Sequence, residues 1–313
     1  MSEGAAGHEP VMLHETLDAL AIREGSTVID ATVGRGGHSE AIARRLGGGR
    51  LVLLDRDRGN LEYASARVRA AAPACEVMAH HANFCDIGLI TARNGIVADA
   101  LLADLGVAST HLDESLRGFG FQHDGPLDMR LDPSSSRTAA DLIRDASEAE
   151  LADIIFHLGE EPFARRIARK VAQVRESEPI KTTAQLARLV REAYGSRARA
   201  SRLHPATRTF MALRIAVNDE LGALEALLLA IASAARARGS GWLALGARVA
   251  IISFHSLEDR QVKRMFAALS DEGVVKRLSR KPLIADDPEV ARNPRARSAK
   301  LRTISLTDTE VVP

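Results

Sequence analysis

The stretch from Thr27 to Ser39 constrains the chain most: Thr-Val-Ile-Asp-Ala-Thr-Val-Gly-Arg-Gly-Gly-His-Ser. Val28 and Ile29 read as a buried strand, with Asp30 at its end. Gly34, Gly36 and Gly37 make a turn, and His38 and Ser39 open a helix carried on by Ala41, Ile42 and Leu46. Glycines let the backbone approach a ligand closely, and a helix N-terminus presents unpaired N–H groups. Strand, glycine turn and helix in this order form a nucleotide-type cradle. Asp55 ends the next apolar run, 19 residues after Gly36. That is close to the ~20 expected for an acid that binds ribose hydroxyls.

The cradle alone leaves two ligands open. A nicotinamide dinucleotide wants a third glycine where Ser39 stands, and its pyrophosphate is poorly served by an acid just before the turn. S-adenosylmethionine carries an amino group and a sulfonium, so Asp30 tilts the reading toward a methyl donor. An ordinary strand–helix turn would carry the same glycines.

Further alternation fixes the fold class. Strands are expected over 51–55, 76–80 and 98–104, with helices over 39–46 and 61–71. Strands alternating with helices imply a parallel sheet covered on both faces, with ligands beyond the carboxyl ends of the strands. Asp30, Asp55, Phe84 and Asp104 all fall at or just past such ends. The alternation then stops. A loop rich in glycine and aspartate runs from Ser109 to Asp132, and several helices are expected from Thr138 to Ser201. Ser147-x-x-Glu150 and Thr182-x-x-Gln185 have capping-box spacing. One long helix over 206–238 follows, with Phe210, Leu213, Val217, Leu221, Leu224 and Leu228 as its stripe. A fifth strand over 248–254, a helix capped by Ser256 and a last strand over 301–306 complete the pattern.

Charge matters only when partitioned. The chain of 313 residues has a net charge of +1. Residues 160–214 carry 13 Lys or Arg against 5 acids, and residues 276–302 carry 9 against 3. Two basic blocks on an otherwise acidic chain suggest a polyanionic partner held at a defined place. Cys75 and Cys85, the chain's two cysteines, are expected to be buried small side chains. They form no disulfide framework, which fits a reducing cytoplasm. No signal peptide and no membrane span is expected. No cluster of His, Cys and carboxylates has metal-ligand spacing, so no metal is expected.

Several stretches together resemble one family. They are Arg35-Gly36-Gly37-His38-Ser39, Asp55-Arg56-Asp57, Asp104-Leu105-Gly106-Val107, Arg117-Gly118-Phe119, Asp124-Gly125-Pro126-Leu127-Asp128-Met129-Arg130, His204-Pro205-Ala206-Thr207-Arg208-Thr209-Phe210, Ile252-Ser253-Phe254-His255-Ser256-Leu257-Glu258-Asp259-Arg260 and Asn293-Pro294-Arg295-Ala296-Arg297-Ser298. The chain is similar over nearly its whole length to the bacterial small-subunit ribosomal RNA cytosine-N4 methyltransferases, the RsmH/MraW family.

The resemblance implies a class I methyltransferase fold: a Rossmann-like, doubly wound, mostly parallel α/β sheet with an inserted, mostly helical domain. It implies a methyltransferase domain over 1–110 and 206–313 and a helical RNA-recognition insertion over 111–205. It implies a cytoplasmic enzyme that moves a methyl group from S-adenosylmethionine to N4 of one cytidine in the P-site region of 16S ribosomal RNA, within the small ribosomal subunit. Gly36, Gly37, His38, Asp55, Phe84, Asp104 and His111 match donor-binding positions, although the family usually has glutamine where His111 stands. Asp104 is the candidate acceptor for an N4 hydrogen, and His255 the candidate for the released proton or, alternatively, a structural histidine at the following helix. Arg130, Arg208 and Arg297 are the RNA-facing candidates, and Phe119 and Phe121 either stack on a displaced base or belong to the core. A dehydrogenase using the same cradle and an assembly factor that has lost catalysis are the rival readings.

Overall fold

The computed structural model describes residues 10–107, 114–200 and 204–307, so His111 lies outside the described residues. The chain divides into two compact units, Met1–Gly106 with Leu221–Pro313, and Val107–Glu220.

The first unit holds a seven-stranded sheet among the described residues, in the order β3-β2-β1-β4-β5-β7-β6. Its strands are β1 (Thr27–Asp30), β2 (Arg50–Asp55), β3 (Glu76–His81), β4 (Ala98–Asp104), β5 (Leu243–Ser253), β6 (Val275–Arg277) and β7 (Lys300–Leu306). β1 to β5 run parallel, while β7 is antiparallel to both β5 and β6. This is the doubly wound class I methyltransferase order that the sequence implied, and its order reverses at β1, where ligands of such sheets bind. The strand residues alternate between two cores. Val28, Leu51, Leu53, Leu102 and Ile252 face one, while Ile29, Val52, Leu54, Leu101 and Ile251 face the other. Helices α1 (Leu13–Leu20), α2 (Gly37–Leu46) and α3 (Arg58–Ala71) supply the first core. Helices α4 (Ile87–Asn94), α10 (Glu220–Arg236) and α11 (Ser256–Asp271) supply the second.

The second unit is helical: α5 (Ala139–Asp145), α6 (Glu148–Gly159), α7 (Ala164–Arg175), α8 (Thr183–Tyr194) and α9 (Ala206–Asn218). Both expected capping boxes form, at Ser147 with Glu150 and at Thr182 with Gln185, and Thr138 with Asp141 adds a third. A short helix, α12 (Asp287–Arg292), precedes β7 in the first unit.

The long helix expected over 206–238 is two helices. Asp219 breaks it with a left-handed φ of 49°. The Asn218 side chain holds the break, donating to the Met129 carbonyl at 2.7 Å and accepting from the Leu131 N–H at 2.7 Å. Phe210 and Leu213 of α9 bury in the helical core, so α9 belongs with the second unit and not with the methyltransferase domain to which 206–220 was assigned. Cys75 is buried as expected, but Cys85 is only partly covered. Among the described residues no helix is long and apolar enough to cross a membrane.

Candidate active site at the ends of the parallel strands

The first parallel strands deliver their acids to one edge. Asp30 pairs with Leu53 and Leu102 in register, Asp104 with Ile252, and Asp55 with His81. Gly34 and Gly36 turn the chain away from β1 with φ of 49° and 76°, left-handed values that glycine adopts without strain. A Cβ at Gly36 would also sit 2.9 Å from the Cβ of Ala64 on α3. Gly37 needs its missing side chain for space alone, since a Cβ there would lie 2.5 Å from Cγ of Pro10. The segment before α1 thus packs directly on the glycine turn.

Asp55 clamps that turn. Its Oδ2 accepts the Gly34 N–H at 2.8 Å and its Oδ1 accepts the Asp57 N–H at 2.7 Å. A carboxylate has about four acceptor positions and takes several donors at once. The Gly34 amide, by contrast, is already committed to a carboxylate. Such a turn is ill suited to cradle a pyrophosphate.

Asp30 lies beneath the turn, 1% exposed. Ser39 donates its hydroxyl to Oδ2 at 2.5 Å, and the Thr32 N–H donates to Oδ1 at 3.1 Å. Burial outweighs these bonds and pushes the carboxyl up from the usual 3.8 to about 6. Ser39, which stands where a dinucleotide fold wants glycine, therefore serves the buried acid.

Asp104 closes the site at the end of β4. Its backbone N–H donates to the Thr32 hydroxyl at 2.6 Å, tying β4 to the turn after β1. Its Oδ2 faces Nδ1 of His38 at 3.5 Å, and its Oδ1 is sealed and without a hydrogen-bond partner. Burial, then the charges of Asp30 and Glu258, hold this carboxyl well above the ordinary range. His38 is itself 6% exposed and bonds the Val11 carbonyl through Nε2 at 3.0 Å. A carbonyl only accepts, so Nε2 carries hydrogen. Nδ1 then either accepts from a protonated Asp104 or, if protonated, faces its carboxylate.

The structure thus joins His38 to Asp104 and Asp55 to the glycine turn. Phe84, in a single 3-10 turn after β3, is half-buried against the core around β1 and β4. His255 follows β5 and stands at the start of the next helix. It, not Ser256, is the N-cap of α11. Its Nδ1 accepts the Glu258 N–H at 3.4 Å, and the Glu258 carboxylate reaches back to the Phe254 and His255 N–H groups at 2.9 and 3.2 Å. Nε2 lies 3.2 Å from Oε1 of the same glutamate, with the ring only 8% exposed. The spacing 255–258 is that of a capping box with histidine in the place of serine or threonine, which is why Ser256 drew the assignment. Glu258 and the Pro10–Val11 backing are the site residues that sequence reasoning missed. The capping spacing was a usable signal for the first, and nothing local marks the second.

The expected RNA-facing residues separate. Arg130 is not available as a phosphate contact: it forms a bidentate pair with Asp128 at 2.8 and 2.7 Å and donates to the Pro133 and Ser135 carbonyls at 2.9 and 2.6 Å, fastening its own loop. Arg208 is exposed but caps the Glu160 carbonyl at 3.0 Å, and Arg297 is exposed on the first unit. Phe119 is 6% exposed, and Phe121 stacks on His204 at 4.4 Å and meets Phe210 edge-on at 5.0 Å. Phe119 is a core residue of the helical unit, and Phe121 is partly buried against that core.

Comparison with known proteins follows the same lines. A family model described as the MraW methylase family matches residues 5–307. A curated protein named ribosomal RNA small subunit methyltransferase H, from Acidobacterium capsulatum, is 46% identical over 301 residues, covering 94% of this chain and 97% of its own length. One of the same name from a Cyanothece species is 45% identical, covering 96% and 95%. Among solved structures, an rRNA methylase from Streptococcus thermophilus aligns with a TM-score of 0.41 at 11% identity, covering 96% of this chain and 99% of its own.

Proposed function

The chain belongs to the MraW methylase family, and on that premise we propose that it transfers a methyl group from S-adenosylmethionine to the exocyclic N4 of a cytidine in the P-site region of 16S ribosomal RNA. The observation that carries the reading is the acid array at the strand ends. Asp30 is buried and Asp104 partly so, both are held toward their protonated forms, and Asp104 also feels Glu258. One oxygen of Asp104 has no partner. Such an array repels a pyrophosphate. It welcomes a cationic ligand with N–H donors, because each new positive charge or donor offsets the cost of a buried carboxylate.

When bound, S-adenosylmethionine supplies an electrophilic methyl on a positively charged sulfur. Asp55, which holds the glycine turn, is the residue for its ribose hydroxyls. The half-buried Phe84 ring offers an apolar face for adenine. The nucleophile needs help, because the N4 lone pair of cytosine is delocalised into its ring. Asp104 supplies that help by accepting an N4 hydrogen, which localises the lone pair and stabilises the positive charge that forms on nitrogen. His38 faces Oδ2 and positions the carboxyl. His255 acts through Glu258, holding the start of α11, and the N4 proton passes through Asp104 to solvent. The helical unit, which carries the first basic block, supplies contacts to RNA phosphates. The protein works in the cytoplasm, on ribosomal RNA inside the small subunit.

The test uses small ribosomal subunits from cells lacking this activity. They are incubated with the purified protein and S-adenosylmethionine labelled on its methyl group, and the RNA is digested to nucleosides. Label in N4-methylcytidine is the expected result. Label in another nucleoside, or none beside tight S-adenosylhomocysteine binding, overturns the assigned base.

A further inference from the structure

Within the helical unit, α6 and α7 line an open cavity of about 360 Å³. That lies in the ~300–1,000 Å³ range of small-ligand sites. Phe156, His157, Pro162, Phe163, Arg165 and Arg166 form much of its wall. Its composition is unusual for a surface dent. Phe156 stands 54% exposed, with the His157 ring edge-on to it at 5.0 Å. Phe163 is held edge-on by Tyr194 at 4.7 Å, and the guanidinium groups of Arg166 and Arg197 lie 5.8 and 5.6 Å from its ring centre.

A second feature points to the ligand's charge. α7 begins beside the cavity with Phe163 as an N-cap that offers no side-chain bond. Its first turn contains no acid but holds Arg165 and Arg166. The buried Glu161 carboxylate already takes the Phe163 N–H at 2.9 Å, so the charge that a ligand would meet here is that of the two exposed arginines. Neither arginine forms an ion pair among the described residues, although Arg169 and Lys170 farther along the helix do. Exposed aromatic rings beside unpaired arginines are the elements of single-stranded nucleic-acid binding, in which rings stack on bases and cations track the backbone.

We propose that this cavity is a nucleobase pocket: it takes one unstacked base of single-stranded ribosomal RNA on Phe156, with Arg165 and Arg166 at the flanking phosphates. The inference rests on the ribosomal RNA substrate proposed above. It places a contact to RNA on the helical unit that is separate from the acid array. Asp153 and His157 on the wall give the base edge an acceptor and a donor.

The test measures anisotropy of a short fluorescein-labelled single-stranded ribo-oligonucleotide with the full chain, its Phe156→Ala and Phe156→Trp variants, and Arg165→Ala combined with Arg166→Ala. Phe156 is exposed, so its removal leaves the core intact, and far-ultraviolet circular dichroism with urea unfolding checks that the helical unit of each variant is folded. Stacking on one ring is worth roughly 5- to 150-fold in affinity. About tenfold weakening is expected for Phe156→Ala and near wild-type affinity for Phe156→Trp. The double arginine variant is expected to weaken binding and to flatten its salt dependence. An abasic strand of the same length is expected to bind wild type and Phe156→Ala alike. Equal binding of normal RNA by wild type and Phe156→Ala overturns the pocket. So does abasic RNA bound as tightly as normal RNA by the wild type. Competition by polyglutamate as effective as that by RNA overturns the nucleic-acid assignment in favour of an acidic peptide. Methylation of small subunits by the same preparations separates the readings. Failure of the wild type there removes the proposed reaction, whereas wild-type activity with an unchanged KM in Phe156→Ala removes the pocket alone.

Discussion

His38 and Asp104 meet with Nδ1 3.5 Å from Oδ2, and the far nitrogen of the same ring is fixed to the Val11 carbonyl at 3.0 Å. One histidine thus couples the segment before α1 to the acid at the end of β4. The ring orients the carboxyl, so Asp104→Asn is the informative change. The amide keeps the shape and one acceptor but cannot hold a proton in transit. A loss of ~10²- to 10⁴-fold in kcat is expected, the usual share of acid–base help. Stability is expected to hold or rise, since the variant has no carboxylate to desolvate. Single-turnover methylation and urea unfolding on the same preparation check both halves.

The acid array makes donor binding proton-linked. Asp30 titrates near 6 in the free protein, and Asp104 is held up as well. A cation bound beside them favours their ionised forms, so binding releases protons. Affinity for S-adenosylmethionine is therefore expected to rise as pH goes from 5 to 7, with a smaller rise for S-adenosylhomocysteine, which lacks the sulfonium charge. Calorimetry in two buffers of different ionisation enthalpy reads the released protons directly. Identical pH profiles for the two ligands would remove the sulfonium from the account.

Asp30 also ties stability to pH, and the sign is fixed by burial. The folded chain keeps the Asp30 proton up to about 6, whereas the unfolded chain gives it up near 3.8. Below both values the group contributes nothing. Between them the unfolded state ionises first and stability falls, and above 6 the full cost is present. The difference spans about 3 kcal/mol, since one pKa unit is ~1.4 kcal/mol. Wild type minus Asp30→Asn is expected to lose about this amount between pH 4 and 7 in urea unfolding. A flat difference would mean that Asp30 ionises in the fold as readily as in water.

The strand ends were legible because each acid terminates a run of branched apolar residues, a pattern that depends only on local sequence. β4 was read at its observed bounds for that reason, and α2 lost only two residues at its start. What escaped depends on distant contacts. The break at Asp219 is held by Asn218 bonding to Met129 and Leu131, far away in sequence, while the apolar stripe runs through the break unchanged. β6 is three residues long, too short for a period to show. Arg130 sits in a motif and looks free on paper, yet its partner Asp128 and the carbonyls it fastens define its work. In the site, the acids were visible and their backing was not. Pro10 and Val11 act through packing and backbone bonds that carry no residue-type signature, and Glu258 showed only in its capping spacing.

His255 separates a capping role from a chemical one. A serine in its place can accept the Glu258 N–H and keep the box, whereas alanine cannot. His255→Ala is expected to cost about 1 kcal/mol, and His255→Ser to recover most of it. If capping is the residue's work, kcat follows the same order and His255→Ser methylates near the wild-type rate. Equal, large losses of kcat in both variants would return His255 to proton transfer.

Gly37 tests whether the segment before α1 is part of the site. Its backbone is not in the left-handed region, so alanine meets no conformational strain there. The obstacle is Pro10, whose Cγ would lie 2.5 Å from the new Cβ. Real Cβ atoms do not tolerate this distance, and the ring is pinned by its neighbours: Met12 is fully buried and donates its N–H to Glu289 at 2.6 Å, while Val11 holds His38. Overpacking of this kind costs ~1–3 kcal/mol. If the segment gives way instead, the Val11 carbonyl leaves His38 and the ring no longer holds Asp104. Gly37→Ala is therefore expected to lower kcat along with stability. Pro10→Ala, which removes the obstructing ring, is expected to restore part of both in the double variant. Stability restored without kcat would show that the segment packs against the turn but does not govern Asp104.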